Sequence, residues 1–260
     1  VKINHELGEG RTQLPKIRIR SYPMRSKYGF LWIFPGDPAL ADSVPLPSIP
    51  VLDAERPWPF VPIDITIQAH HSMIVENVCD FNHEYLHRKF KPFTRPHLEG
   101  FNRDGDTIHI HYRADHGRGQ LARIAADREA GLGSIHLWYQ YPYQGSDISG
   151  KYLHWLFMLP IDEETTRCFF VFLFGPIEVP VVRFNIPMGV RRPLLRLINK
   201  LYVLPLLRED QWALEEEQRA HRSHAGRGSV ELNPIIRAFQ QMSLEKWEEY
   251  LRSGKGVGAA

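Results

Sequence analysis

Between Thr107 and Phe174 four strand-like segments follow one another with no helical pattern between them: Thr107 to Tyr112, Ser134 to Tyr141, Leu153 to Ile161 and Arg167 to Phe174. Each is rich in β-branched and aromatic residues and is bounded by Gly, Asp or Pro turns. Strands that lack crossover helices pair antiparallel, so the middle of the chain has to form an antiparallel sheet. Helical periodicity is confined to the flanks. A helix is predicted over residues 72–90, ended by Pro92 and Pro96. From Pro193 onward Leu194, Leu197, Ile198 and Leu201 recur at helical spacing, and Asp210 to Arg222 is strongly helix-forming. Ser243 to Leu251 reads as a last amphipathic helix with Ser243 as its N-cap. The fold class is α+β.

The first third is different. Lys16 to Arg20 alternates, Tyr28 to Phe34 is an apolar strand, and Pro35-Gly36-Asp37 closes it with a turn. Residues 38–62 hold seven prolines, which forbids regular structure and suggests an ordered surface connection. Ile63 to Ile67 is a short strand that leads into the predicted helix. The organisation read from the chain is 1–37, a proline-rich connection over 38–62, a main domain over 63–252, and a disordered tail over 253–260.

Within the predicted helix, Glu76, Asp80, His83 and His87 fall within roughly 60° of one another at 100° per residue. Val75, Cys79 and Leu86 form an apolar stripe beside them. An imidazole and carboxylate row next to a packed stripe is what a buried metal site needs. Two chemistries fit. His83-Glu84-Tyr85-Leu86-His87 matches H-E-x-x-H, in which two histidines bind zinc and the Glu activates water. Its extended form needs Gly at position 90 and His at 93, and both are Phe.

The other chemistry uses more of the chain. Asp80-x-x-His83-x-x-x-His87, preceded by Glu76-Asn77, resembles the mononuclear iron motif of Rieske-type non-haem iron oxygenase α subunits. Glu209-Asp210-Gln211-Trp212-Ala213-Leu214-Glu215 resembles the family's distant carboxylate motif. Tyr28-Gly29-Phe30-Leu31-Trp32-Ile33-Phe34-Pro35-Gly36-Asp37 resembles the end of its Rieske domain. The three matches occur in family order, closest in feel to the vanillate demethylase and carbazole dioxygenase-like branch. The resemblance implies a helix-grip, START-like catalytic domain, its sheet curved around a long helix, over residues 63–252. Residues 1–37 would then be the remnant of a Rieske domain. It also implies that His83, His87 and Asp210 hold Fe(II), a 2-His-1-carboxylate triad with open positions. Asp80 would bridge electron transfer from a neighbouring subunit of a homotrimer, and Asn77 would stand behind the ligands. The 2Fe–2S cluster needs C-x-H and C-x-x-H, which neither Cys79 nor Cys168 supplies. Its ligands are expected upstream of Val1 or on a separate protein.

The implied reaction is O₂-dependent hydroxylation or oxidative demethylation of an apolar cyclic or aromatic substrate, with electrons from a reductase or ferredoxin. Trp138 and His154 sit in apolar strands and are candidates to line the substrate cavity. The alternatives are the zinc hydrolase and a non-catalytic helix-grip ligand-binding module. Glu76 reads as a solvated or interface charge. His109 and His111 share one strand face, and His70-His71 are expected to point apart. Arg191-Arg192, Arg196 and Lys200 make a basic helix edge that reads as a solvated face, with docking of an acidic electron donor as the lesser alternative. The balance of 32 basic and 30 acidic residues gives no case for nucleic acid. Two cysteines make no disulfide framework, so a reducing, cytoplasmic compartment is expected. No apolar run reaches the ~20 residues of a membrane span. The chain opens on Val with no signal-peptide pattern, so it is expected to begin inside a longer protein.

Overall fold

The computed structural model describes residues 21–117, 133–150, 152–175, 178–179, 184–185, 188–224 and 231–253. The Lys16 to Arg20 strand and most of the predicted tail lie outside them. The chain divides into two compact units, Val1–Pro57 and Trp58–Ala260.

In the first unit, strands β1 (Met24–Lys27) and β2 (Phe30–Ile33) form an antiparallel hairpin. Tyr28 and Gly29 both have positive φ, 58° and 77°, which a two-residue turn of matching twist requires. The single apolar strand expected over Tyr28 to Phe34 is therefore the second arm of this hairpin. The proline-rich segment is tied to it. Arg25 donates to the carbonyls of Ala41 and Val44, and the Tyr28 hydroxyl accepts the Ile49 N–H at 2.8 Å. A four-residue helix α1 (Pro50–Asp53) follows.

The second unit is built on a seven-stranded antiparallel sheet. Its strands are β3 (Ile63–Ile67), β4 (Phe93–Asp104), β5 (Thr107–His116), β6 (Gly133–Gln140), β7 (Tyr143–Ile148), β8 (Tyr152–Asp162) and β9 (Thr165–Phe174), in the order β3-β9-β8-β7-β6-β5-β4. Every neighbour pair is antiparallel, as the absence of crossover helices requires. A further short pair, β10 (Glu178–Val179) and β11 (Phe184–Asn185), lies apart from the sheet. β4 and β7 are not apparent as strands in the sequence. β4 contains Pro96 and two register shifts, and β7 is largely polar around Gly145.

Helices cover one face of the sheet. α2 spans His71–Cys79, α3 Met188–Ile198, α4 Leu204–Ser223 and α5 Pro234–Arg252. A π-helical turn, Asn199–Val203, joins α3 to α4. One half of the core joins Val75 and Cys79 of α2 to Ile110, Leu137 and Tyr139 of the sheet and Phe239 of α5. The other joins Ile74 of α2 to Leu156 and Phe170 of the sheet and Leu207 and Leu214 of α4. Val78 packs against both halves, so α2 is the wedge between them.

The predicted 72–90 helix is thus shortened to nine residues. Asp80 leaves the helical region at φ −106°, ψ 103°, and Phe81–Leu86 continues as a 3-10 segment. The long helices are α4 and α5 instead. Ser243 is interior to α5, donating to the Phe239 carbonyl, and the N-cap is Asn233, which accepts the Ile235 N–H at 3.0 Å. Among the described residues no helix is long and apolar enough to cross a membrane.

Candidate metal centre

The break at Asp80 builds the site. Asp80 Oδ1 accepts both the backbone and the side-chain N–H of Asn82, at 2.8 and 2.7 Å, and so caps the 3-10 segment. A 3-10 turn takes three residues rather than 3.6, which changes the direction in which the two histidines leave the backbone. Their convergence therefore does not come from a shared α-helical face. His83 Nδ1 contacts the Asp80 carbonyl oxygen. That contact fixes the ring and leaves Nε2 to point outward. Phe81 anchors the segment by packing on Tyr112 and on Phe93, with ring centroids 5.4 and 4.4 Å away.

Asp210 arrives from α4. Its helix is held to the β3–α2 connection by three side chains spaced along one side. Gln211 donates to the Thr66 carbonyl, Glu215 accepts the Gln68 N–H, and the buried Gln218 accepts the His70 N–H at 2.9 Å. Glu209 Oε1 accepts the Lys89 N–H at 3.2 Å, tying the helix to the chain just past His87.

The result is one cluster. One donor atom each from His83, His87 and Asp210 lies within 4.8 Å of the other two. Asp210 Oδ1 stands 3.8 Å from His83 Nε2 and 3.6 Å from His87 Nε2. Glu209 Oε2 lies 3.4 Å from His87 Nδ1. His87 Nδ1, Asp210 Oδ1 and Glu209 Oε2 are all buried without a hydrogen-bond partner. Burial pushes His83 and His87 down to about 4, so both rings are neutral and have lone pairs to give. Burial, with the nearby Glu209 charge, pushes Asp210 up to about 7. A buried carboxylate oxygen between two neutral imidazoles, with no hydrogen-bond partner among the described residues, is the arrangement a metal ligand needs. The donor set fits a divalent first-row metal and is the set used by non-haem Fe(II) oxygenases. Phe93 closes one side, edge-on to both rings at 5.8 and 5.9 Å.

The other sequence candidates fall elsewhere. Glu84 turns away from the cluster and accepts the Arg95 N–H at 2.6 Å, beside a charged cleft lined by Tyr85, Arg88 and Lys91. The H-E-x-x-H match therefore has His83 on a 3-10 turn, His87 just past its end, and its Glu outside the site. Asn77 is half-buried on α2, where its carbonyl accepts the Asp80 N–H. Glu76 is half-buried. It packs against α5, accepts from Gln240 at 3.1 Å, and burial raises its pKa. Leu137 and Tyr139 enter the core beside Phe81, so Trp138 between them faces the opposite side of the sheet, against His136 and Trp155. The structure does not bring Trp138 to the cluster. His154 alternates with the core residue Leu156 and faces the helices, stacked on Phe170 and Phe172, with Nε2 buried and unpartnered. His109 and His111 do share a face, and His136 joins them there. The His70 and His71 rings do not point apart. Their centroids are 4.2 Å from each other, and His70 caps α2 through the Ser72 N–H. Glu209 and Phe93 were not singled out as site residues. Their signal is present only as position, Glu209 beside Asp210 and Phe93 at the start of the strand that follows the histidines.

The family model describing the vanillate O-demethylase oxygenase C-terminal domain matches residues 67–244. The chain belongs to that family. This Rieske-type oxygenase domain is 57% identical over 258 residues to a 4beta-methylsterol monooxygenase of Methylococcus capsulatus, covering 99% of this chain and 70% of that protein. A vanillate O-demethylase oxygenase subunit of a Pseudomonas species is 35% identical over 71 residues, 26% of this chain and 21% of that protein. Dicamba monooxygenase bound to dicamba shares the fold, with a TM-score of 0.65 at 18% identity, covering 90% of this chain and 71% of that one. The oxygenase domain is thus the catalytic part of an oxidoreductase, and the zinc-hydrolase and binding-module readings fall with that membership. Its two cysteines are both buried, and desolvation pushes both thiols up to about 12.

Proposed function

We propose that His83, His87 and Asp210 hold one Fe(II), and that the chain is the substrate-oxidising part of an O₂-dependent oxygenase acting on an apolar cyclic substrate by hydroxylation or oxidative demethylation. The observation that carries this reading is the buried, unpartnered Asp210 Oδ1 facing two neutral histidines. Bound iron would supply the O₂ chemistry, and the three ligands leave coordination positions open for it.

This chain's own residues have defined tasks in that scheme. The Asp80 carbonyl orients the His83 imidazole, which keeps its Nε2 toward the ion, and Glu209 Oε2 stands 3.4 Å behind His87 Nδ1. Phe81 and Phe93 line one side with apolar rings and limit water there. His154, with its Nε2 buried on the helix-covered sheet face beside Ser146, is placed to orient a substrate of otherwise apolar surface. Asp80, already the cap of the 3-10 segment, is the carry-over for the electron path from a neighbouring subunit in a homotrimer. The cluster feeding it would be a 2Fe–2S centre outside these residues, served by a reductase or ferredoxin. The similarity to the 4beta-methylsterol monooxygenase extends over nearly the whole chain and favours a methylated polycyclic substrate.

The test is metal content after anaerobic loading with Fe(II) and Zn(II) in competition. The expected result is one Fe(II) per chain in wild type and Glu84→Ala, and loss of binding in Asp210→Ala. Retention of full metal by Asp210→Ala overturns the triad. Absence of metal in every form overturns the iron reading as well.

A further inference from the structure

α3 and the π turn after it present a surface that neither the sheet nor the metal centre uses. Residues 188–203 include four basic residues and no acidic one. Arg192, Arg196 and Lys200 recur every fourth residue, so they form one row along the helix. All three are exposed, and none is ion-paired among the described residues. Val190 and Leu197 lie two turns apart on another side, with Leu201 one turn further. They are 55%, 52% and 62% exposed. The third side is fixed inward. Leu195 and Asn199 are buried, and Asn199 Nδ2 donates to the Val61 carbonyl at 2.9 Å. The helix therefore cannot roll to hide its leucines without breaking that anchor.

Three aliphatic side chains in line, flanked by a basic row and by no acid, need two environments at once: a dry one and an anionic one. A bilayer surface supplies both within one helix diameter. A protein hot spot would instead draw on aromatic side chains in a pocket, and this stripe has neither. We propose that α3 and its π extension dock on an anionic phospholipid surface. Val190, Leu197 and Leu201 enter the acyl boundary, and Arg192, Arg196 and Lys200 meet the lipid phosphates. The docking follows from this surface alone. Its use, bringing an apolar substrate from the phase in which it dissolves, rests on the oxygenase reading above.

The test is co-sedimentation of the whole chain with vesicles of phosphatidylcholine alone or of phosphatidylcholine with phosphatidylglycerol. Wild type is expected to bind the mixed vesicles, to release as salt is raised, and to ignore the neutral ones. The exposed pairs Leu197→Ser/Leu201→Ser and Arg196→Glu/Lys200→Glu are each expected to weaken binding about tenfold or more. Their Fe(II) content, measured on the same samples, is expected to stay at the wild-type level. No wild-type binding to mixed vesicles, or binding at the wild-type level by either variant, overturns the proposal. If vesicles are ignored and the charge reversal instead slows reduction by an acidic electron-transfer protein, the surface belongs to that protein and not to lipid. Because vesicle binding is read without turnover, its failure leaves the iron site untouched, and failure of the iron site leaves vesicle binding readable.

Discussion

At the scale of single residues, burial decides the protonation of His154. It sits between Phe170 and Phe172 with Ser146 Oγ 3.5 Å from Nδ1, and desolvation lowers its pKa from the ordinary 6.5 to about 3. The fold holds the neutral ring, while the unfolded chain takes up its proton near 6.5. Its contribution to stability is therefore complete above that pH and is lost as pH falls toward 3. Between pH 7 and pH 5 the loss from this one ring is about 2 kcal/mol. Phe at this position keeps the aromatic stack and has nothing to protonate. Urea unfolding of His154→Phe at the two pH values is expected to show a smaller acid loss than wild type by about that amount. An identical acid loss in the two proteins would mean that His154 is hydrated.

At the scale of elements, what the sequence made legible depends on whether local pattern or distant packing set the structure. The strands of the sheet's centre and the helix around Asp210 are strongly periodic, and the structure keeps them. The helix over 72–90 is not kept, because Asp80 turns its side chain back onto Asn82 and breaks the backbone ladder there. The residues that cluster as candidate ligands, His83, His87 and Asp210, were still identifiable, since motif order does not depend on helix phase. β4 stayed hidden because Pro96 falls at a bulge, which only a paired partner strand makes tolerable. The placement of α4 was equally out of reach, as it rests on Gln218 meeting a backbone N–H far away in the sequence. Gln218→Leu leaves that N–H unpaired and is expected to cost about 1–3 kcal/mol in thermal or urea unfolding. Gln211→Ala, on the half-exposed part of the same contact, is expected to cost less than about 1 kcal/mol. Equal losses would show that α4 is held by its leucines alone.

At the scale of the whole unit, the candidate metal joins two halves of the core. His83 and His87 follow Phe81, which belongs to the half under α5. Asp210 stands between Leu207 and Leu214, which belong to the half under α4. The junction holds three buried polar atoms with no hydrogen-bond partner among the described residues, His87 Nδ1, Asp210 Oδ1 and Glu209 Oε2, and each costs stability there. An ion that binds only the folded chain stabilises it in proportion to the logarithm of its concentration over Kd. At a thousandfold excess over Kd the gain is about 4 kcal/mol, which raises the unfolding midpoint by roughly 10 °C for a domain of this size. Asp210→Ala removes one ligand and one buried carboxylate together. Its metal-free form is expected to melt no lower than metal-free wild type, and added Fe(II) is expected to leave its midpoint within about 1 °C. Anaerobic calorimetry of both proteins, with and without Fe(II), reads the two effects separately. A metal-free Asp210→Ala that melts far below metal-free wild type would mean that the carboxylate already has a structural partner, and that the two halves are joined by protein contacts rather than by an ion.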